Sequence, residues 1–176
     1  KHIIGLMMPD AGSIVIEDEE IVGMSESDLD SVRKRFGMLF QSAALFDSLT
    51  VGENVGLGLR EHLHLKDAEV HQRVAERLSW VGLASIEAMK PASLSGGMRK
   101  RVGLARAVAM DPQYILYDEP TTGLDPITAD AIDQLIRSLQ KRLGVTSIVV
   151  THDMASAFKV ADRMVMLHEG KMVFSG

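Results

Sequence analysis

Asp118 and Glu119 close the apolar run "YILYDEP". Two carboxylates at the end of a strand lie where open α/β sheets bind their ligands. One can hold Mg²⁺ directly or through water, and its neighbour can activate water against a phosphoryl group. The plainer alternative is a buried strand running into a solvated acidic turn. The stretch "TSIVVTHD" ends a second apolar run and brings His152 to the same edge. A histidine there contacts a phosphate, orients a catalytic group, or is simply structural. Gln41 ends a third run, "FGMLFQ", with an amide able to coordinate Mg²⁺ or position a water. "GLDP" is a turn by composition, and its Asp125 is placed to cap the next helix. Each feature alone has an ordinary explanation. Four polar groups directed to one sheet edge describe a nucleotide site that lacks a phosphate cradle.

The stretch "SLSGGMRKR", residues 93–101, poses a separate problem. Gly96 and Gly97 stand where a helix is about to begin, although glycine costs about 1 kcal/mol in a helix relative to alanine. Arg99, Lys100 and Arg101 follow in the first turns, where the helix dipole disfavours positive charge. Free N–H groups at a helix start form an anion site, and glycines let backbone approach a phosphate closely. Ser95 adds a hydroxyl donor or an N-cap. The three basic residues fan around the helix, so at least two are expected to be solvated or to meet acidic partners.

The elements that must position these residues follow from periodicity. "SIVIEDEEI" reads as two strands around an acidic turn, Asp28–Arg35 as a short polar helix, and Phe36–Phe40 as a strand. From Ser42 to about Met110 the character is helical, clearest over Ala68–Val81 and Gly97–Met110. Beyond it "QYILY" is a strand, Thr128–Leu143 a helix, "TSIVVT" a strand, Met154–Val160 a helix and "RMVMLHEGKMVF" a hairpin. Strand–helix alternation with apolar strands predicts an α/β fold: a mainly parallel sheet covered on both faces, interrupted by a helical insert. Lys1–Met8 reads as the tail of a helix closed by Pro9, Asp10 and Gly12. The 176 residues suffice for one domain with a real core. Nineteen basic against twenty-four acidic side chains, a net charge of -5, leave no basic excess for nucleic acid. With no cysteine there is neither a disulfide framework nor a thiolate metal site. No apolar run reaches the roughly 18 residues that a membrane span needs.

In this order and spacing the motifs resemble those of ATP-binding cassette (ABC) ATPases, over nearly the whole chain. "LFQ" resembles the Q-loop, "LSGGM" the LSGGQ signature, and "YILYDEP" the Walker B strand with its catalytic glutamate. "GLDP" resembles the D-loop and "THD" the switch histidine. The resemblance implies a P-loop NTPase core, truncated here, in which Asp118 and Gln41 bind Mg²⁺ and Glu119 polarises the attacking water. His152 would contact the γ-phosphate of ATP. Ser95, Gly96 and Gly97 would grip the nucleotide of a second ATPase subunit in a head-to-tail dimer, with Asp125 working across the interface. Residues 1–41 would be the rest of an N-terminal ATP-binding core, 42–110 the helical subdomain, and 111–176 the core's C-terminal part. Ser42–Leu65, including Leu45 and Phe46, is the candidate coupling surface for an integral membrane permease. The resemblance would place the protein in the cytoplasm, peripheral on the inner membrane.

Two departures qualify the resemblance. Met98 stands where the family has glutamine, and with "LFQSAALFDSLTVGENV" it resembles the cassettes of Mce-associated and Mla-type lipid transporters. The Walker A loop, GxxxxGKS/T, occurs nowhere in the chain. "KHIIGLMMPDAGSI" resembles the segment following that loop, which implies a family member missing its N-terminal part. Two alternatives stay open: a chromosome- or ribosome-associated ABC protein, and a dimerising fragment that does not turn over ATP. The short interval between Gln41 and Ser95 leaves no room for the long coiled coil of the chromosome type.

Overall fold

The apolar runs that carry the candidate residues form three adjacent parallel strands. In the computed structural model, which describes residues 1–176, these are β3 (Phe36–Leu39), β4 (Tyr114–Asp118) and β5 (Thr146–Val150), in that spatial order. Phe36 pairs with Tyr114 and Tyr114 with Thr146, so all three strands end at one edge. Before them come the small hairpin β1 (Val15–Ile16) and β2 (Glu19–Glu20), then α1 (Glu26–Arg33). Helices α2 (Val51–Glu61), α3 (Asp67–Trp80) and α4 (Gly96–Ala107) separate β3 from β4. Helix α5 (Pro126–Leu143) links β4 to β5, and α6 (Met154–Val160) leads to the hairpin β6 (Val165–His168) and β7 (Lys171–Ser175).

Local chemistry sets the helix limits. Thr50 and Glu53 form a reciprocal capping box at the start of α2, with Thr50 N donating to Glu53 Oε2 at 2.6 Å. Helix α5 starts earlier than its apolar pattern because Asp125 caps it and Pro126 fits its first position. It ends at Gly144, whose φ of 65° is a left-handed cap. Helix α4 stops at Ala107, short of the expected Met110, and the chain turns through Asp111 at φ 52°. The expected helix over Lys1–Met8 is only a 3₁₀ turn, His2–Ile4, closed by Gly5 at φ 64°.

One apolar core runs through the insert and the sheet. It joins Val55 and Leu59 of α2, Val74 and Leu78 of α3, Leu104 of α4, Ile115 and Tyr117 of β4, and Ile132 and Ile136 of α5. A smaller cluster, Ile16, Ile21, Leu29 and Val32, seats the first hairpin against α1. Where α4 crosses β3 the backbones come close. A Cβ on Gly37 would lie 2.1 Å from the Ala107 carbonyl oxygen, and one on Gly103 would lie 2.6 Å from Leu39 Cδ1. Arg77 of α3 is buried, donates to the Val108 carbonyl at 3.2 Å and pairs with Asp111. The guanidiniums of Arg77 and Arg142 both lie over the Trp80 ring, at 3.9 and 4.8 Å from its centroid.

The expected cover on both sheet faces is incomplete at β5. Ile148 and Val150 are exposed, and the free edge of β5 carries no further strand. Phe158 of α6 and most of the β6–β7 hairpin are also exposed. An apolar run of strand length announces a strand but not what will pack against it.

Candidate functional site

Parallel pairing brings the polar strand ends together. Asp118 closes β4, Glu119 follows it, Gln41 lies two residues past β3, and His152 lies two past β5. Glu119 is the best held of these. Its backbone is in the left-handed region at φ 49°, a conformation that L-residues rarely keep without support. The support comes from several elements. Glu119 N donates to the Val150 carbonyl at 2.9 Å, and Lys100 Nζ donates to the Glu119 carbonyl at 2.9 Å. On the side chain, Thr122 Oγ1 donates to Oε2 at 2.8 Å, and His152 Nδ1 lies 2.9 Å from the carboxylate.

The electrostatics of that pair are asymmetric. Burial disfavours the charged Glu119 carboxylate, but the hydrogen bonds from His152 and Thr122 outweigh it and hold its pKa below the ordinary value. The same hydrogen bond and the charge of Glu119 raise the pKa of the exposed His152 imidazole. For a raised histidine, the stabilisation is complete below its ordinary pKa and is lost as pH rises through the raised one. At the acid end it fades as pH falls through the lowered pKa of Glu119. The ion pair therefore holds between the lowered pKa of Glu119 and the raised pKa of His152. Proton NMR of His152 should give a midpoint above about 6.5 that moves back toward 6.5 in Glu119→Gln. An identical midpoint in both proteins would rule out the pairing.

Helix α4 begins with Ser95, whose Oγ accepts from Met98 N at 3.2 Å. Gly97 has a packing reason for lacking a side chain: its Cβ would stand 2.6 Å from Thr128 Cγ2 on α5. Gly96 is less crowded and exposed. Asp125 does cap α5, accepting from Ile127 N and Thr128 N at 3.1 Å each. Its neighbour Thr128 is therefore shared by the cap of α5 and the start of α4. Met98, half-buried, packs its apolar chain against the main core.

Of the three basic residues after the glycines, Arg99 is exposed and Arg101 half-buried, while Lys100 is buried; all three also hydrogen-bond to backbone. Arg99 donates to the Leu94 carbonyl at 2.7 Å, Arg101 to that of Val81 at 3.0 Å, and Lys100 to that of Glu119. Each tethers α4 to a different stretch of backbone. Lys100 and Thr122 are the site residues that sequence reasoning missed. Lys100 lies inside a run of charge that reads as a solvated face, so only its burial reveals it. Thr122, three residues after Glu119, carried the weak signal of a hydroxyl in a turn. A further buried network joins Thr121, Ser156 and Asp133, with Ser156 Oγ donating to Asp133 Oδ2 at 2.9 Å. It ties the loop after Glu119 to α5 and α6.

Comparison with known proteins agrees with this arrangement. Residues 1–122 match the family described as ABC transporter. The chain is 43% identical over all its residues to the intermembrane phospholipid transport system ATP-binding protein MlaF of Haemophilus influenzae, covering 67% of it. It is 44% identical to MlaF of Escherichia coli, covering 65%. It is also 43% identical to the probable ribonucleotide transport ATP-binding protein mkl of Mycobacterium tuberculosis, covering 49%. The chain thus spans about half to two thirds of the curated relatives it matches. Among solved structures, a dimeric ATP-binding cassette in a post-hydrolysis state with ADP and Pi superposes with a TM-score of 0.89 at 33% identity. That match covers 99% of this chain and 77% of the other. Taken with the polar strand ends on a parallel sheet, these matches place the chain in the ABC transporter family, as part of an ATP-binding cassette.

Proposed function

We propose that this chain belongs to the ATP-hydrolysing subunit of a transporter for phospholipids or other hydrophobic molecules, driving a separate integral membrane permease. The observation that carries the reading is Glu119, fixed at a sheet's C-terminal edge with its carboxylate ionised and only 19% exposed. Glu119 takes the proton of the water that attacks the γ-phosphate of ATP. His152, beside that carboxylate, contacts the γ-phosphate and keeps Glu119 aimed. The N-terminus of α4, with Ser95, Gly96 and Gly97, meets the nucleotide of a second ATPase subunit in a head-to-tail dimer, where Asp125 also acts.

Asp118 and Gln41 suit Mg²⁺, because they offer hard oxygen donors from neighbouring strand ends. Bound there, Mg²⁺ would neutralise charge on the phosphates.

Residues 1–41 and 111–176 make up the ATP-binding core in this reading, and 42–110 the helical subdomain facing the permease. Phe46, 53% exposed, is the better candidate for that contact, whereas Leu45 packs against the core. No helix is long and apolar enough to cross a membrane. In this reading the permease is a separate chain, and the subunit works at the cytoplasmic membrane face. The relatives named for phospholipid transport support the choice of cargo.

The test is reconstitution of the intact transporter in vesicles carrying a fluorescent phospholipid. Phospholipid transfer should require Mg-ATP, and the permease should change the rate of hydrolysis. Hydrolysis indifferent to the permease, with no lipid moved, would remove the proposal.

A further inference from the structure

We propose that Lys100 is a positioning residue that ties helix α4 to Glu119 of the same chain, so that what α4 meets at its N-terminus sets the placement of Glu119. The proposal rests on the reading above, in which Glu119 activates water and the start of α4 meets a nucleotide phosphate.

Lysine is almost never fully buried without a partner, yet Lys100 is 5% exposed. Its ammonium donates to one backbone carbonyl, that of Glu119, at 2.9 Å. Arg99 and Arg101 anchor α4 to Leu94 and Val81, within the insert itself. Lys100 alone of the three reaches the end of β4. The residue it holds has its backbone in the sparsely populated left-handed region, at φ 49°. Burial lowers the lysine's pKa, while the carboxylates of Glu119 and Asp118 oppose that shift. A buried cation needs such compensation to stay charged.

The geometry gives the contact a direction. Ser95 and Lys100 are joined by one rigid helix, α4, less than two turns apart. Gly97 leaves α4 in close approach to Thr128, beside the cap of α5, so its N-terminal end has little freedom to shift independently. A displacement of α4 is passed by Lys100 to the Glu119 peptide, and by that peptide to the carboxylate. In a head-to-tail dimer the start of α4 meets the partner's nucleotide, while Glu119 serves the nucleotide of its own chain. Lys100 therefore links the two sites.

The experiment measures ATP turnover by the intact ATPase in complex with its permease, for Lys100→Met, Lys100→Gln and Lys100→Arg. Methionine keeps the volume and removes the donor; glutamine keeps a donor but is too short; arginine keeps a cation able to reach. Expected is a fall in kcat of about 10- to 100-fold in the Met and Gln variants, with KM changed less than about twofold. Their Hill coefficient for ATP should move toward 1, and Arg should recover most of both. If Lys100→Met does not fold, the contrast of Gln against Arg decides alone. Wild-type kcat and Hill coefficient in a folded Met or Gln variant would overturn the proposal. Equal turnover by wild type and Glu119→Gln would instead overturn the role of Glu119, a separate result read from the same assay.

Discussion

Glu119→Gln should lower steady-state Mg-ATP hydrolysis by the intact protein about 10²- to 10⁴-fold, the range lost with a positioned general base. The amide has nearly the same size and still accepts from Thr122, so the left-handed turn and the contact with Lys100 are kept. What it cannot do is take a proton. The loss should fall on turnover, with nucleotide affinity and melting temperature close to those of the wild type. The ion pair with His152 disappears in the same variant, but it is exposed on the histidine side and contributes little to stability. A variant retaining more than about a tenth of the wild-type rate would show that water is activated by another group.

The largest effect on stability is expected at a residue far from any chemistry. Gly37 lies in β3 beneath the end of α4, where a Cβ would be 2.1 Å from the Ala107 carbonyl oxygen and 2.9 Å from its carbon. Pro112 Cγ, at 3.2 Å, closes the remaining side. The obstacle is backbone, which cannot swing away as a side-chain end can. Gly37→Ala must push α4 off the sheet or bend β3. Overpacking of this kind costs about 3 kcal/mol at the upper end of the usual range. For a chain of this size that lowers Tm by roughly 6–12 °C. Thermal unfolding of the variant checks it, and a Tm within about 2 °C of the wild type would refute the close crossing of α4 and β3. Because α4 also carries the "LSGGM" stretch, its seating on β3 is a condition of the site as well as of stability.

The parts of this molecule that are legible in the sequence are those fixed by local pattern. Met154–Val160 is a helix with the expected limits, and the "YILYD", "FGML" and "TSIVV" runs are strands because apolar, β-prone segments of that length suit a sheet. The polar groups at their ends share an edge because parallel strands that start together end together. Less visible was whatever depends on partners distant in sequence. Lys100 is indistinguishable from its charged neighbours until α4 is laid against the end of β4. Gly97 invites a phosphate-binding explanation, and the approach to Thr128 supplies a second, independent one.

The stacking of Trp80 has a practical consequence for observing this protein at work. It is the only tryptophan among the 176 residues. One of the guanidiniums over its ring belongs to Arg77 on the same helix, but the other, Arg142, belongs to α5. The indole thus stands at the junction between the helical insert and the strand-bearing part, with a cation contributed from each side. Rotation of one part against the other would separate Arg142 from the ring and alter its emission. The molecule carries its own fluorophore at that junction, so motion between the two parts is open to measurement by intrinsic fluorescence, without an attached label.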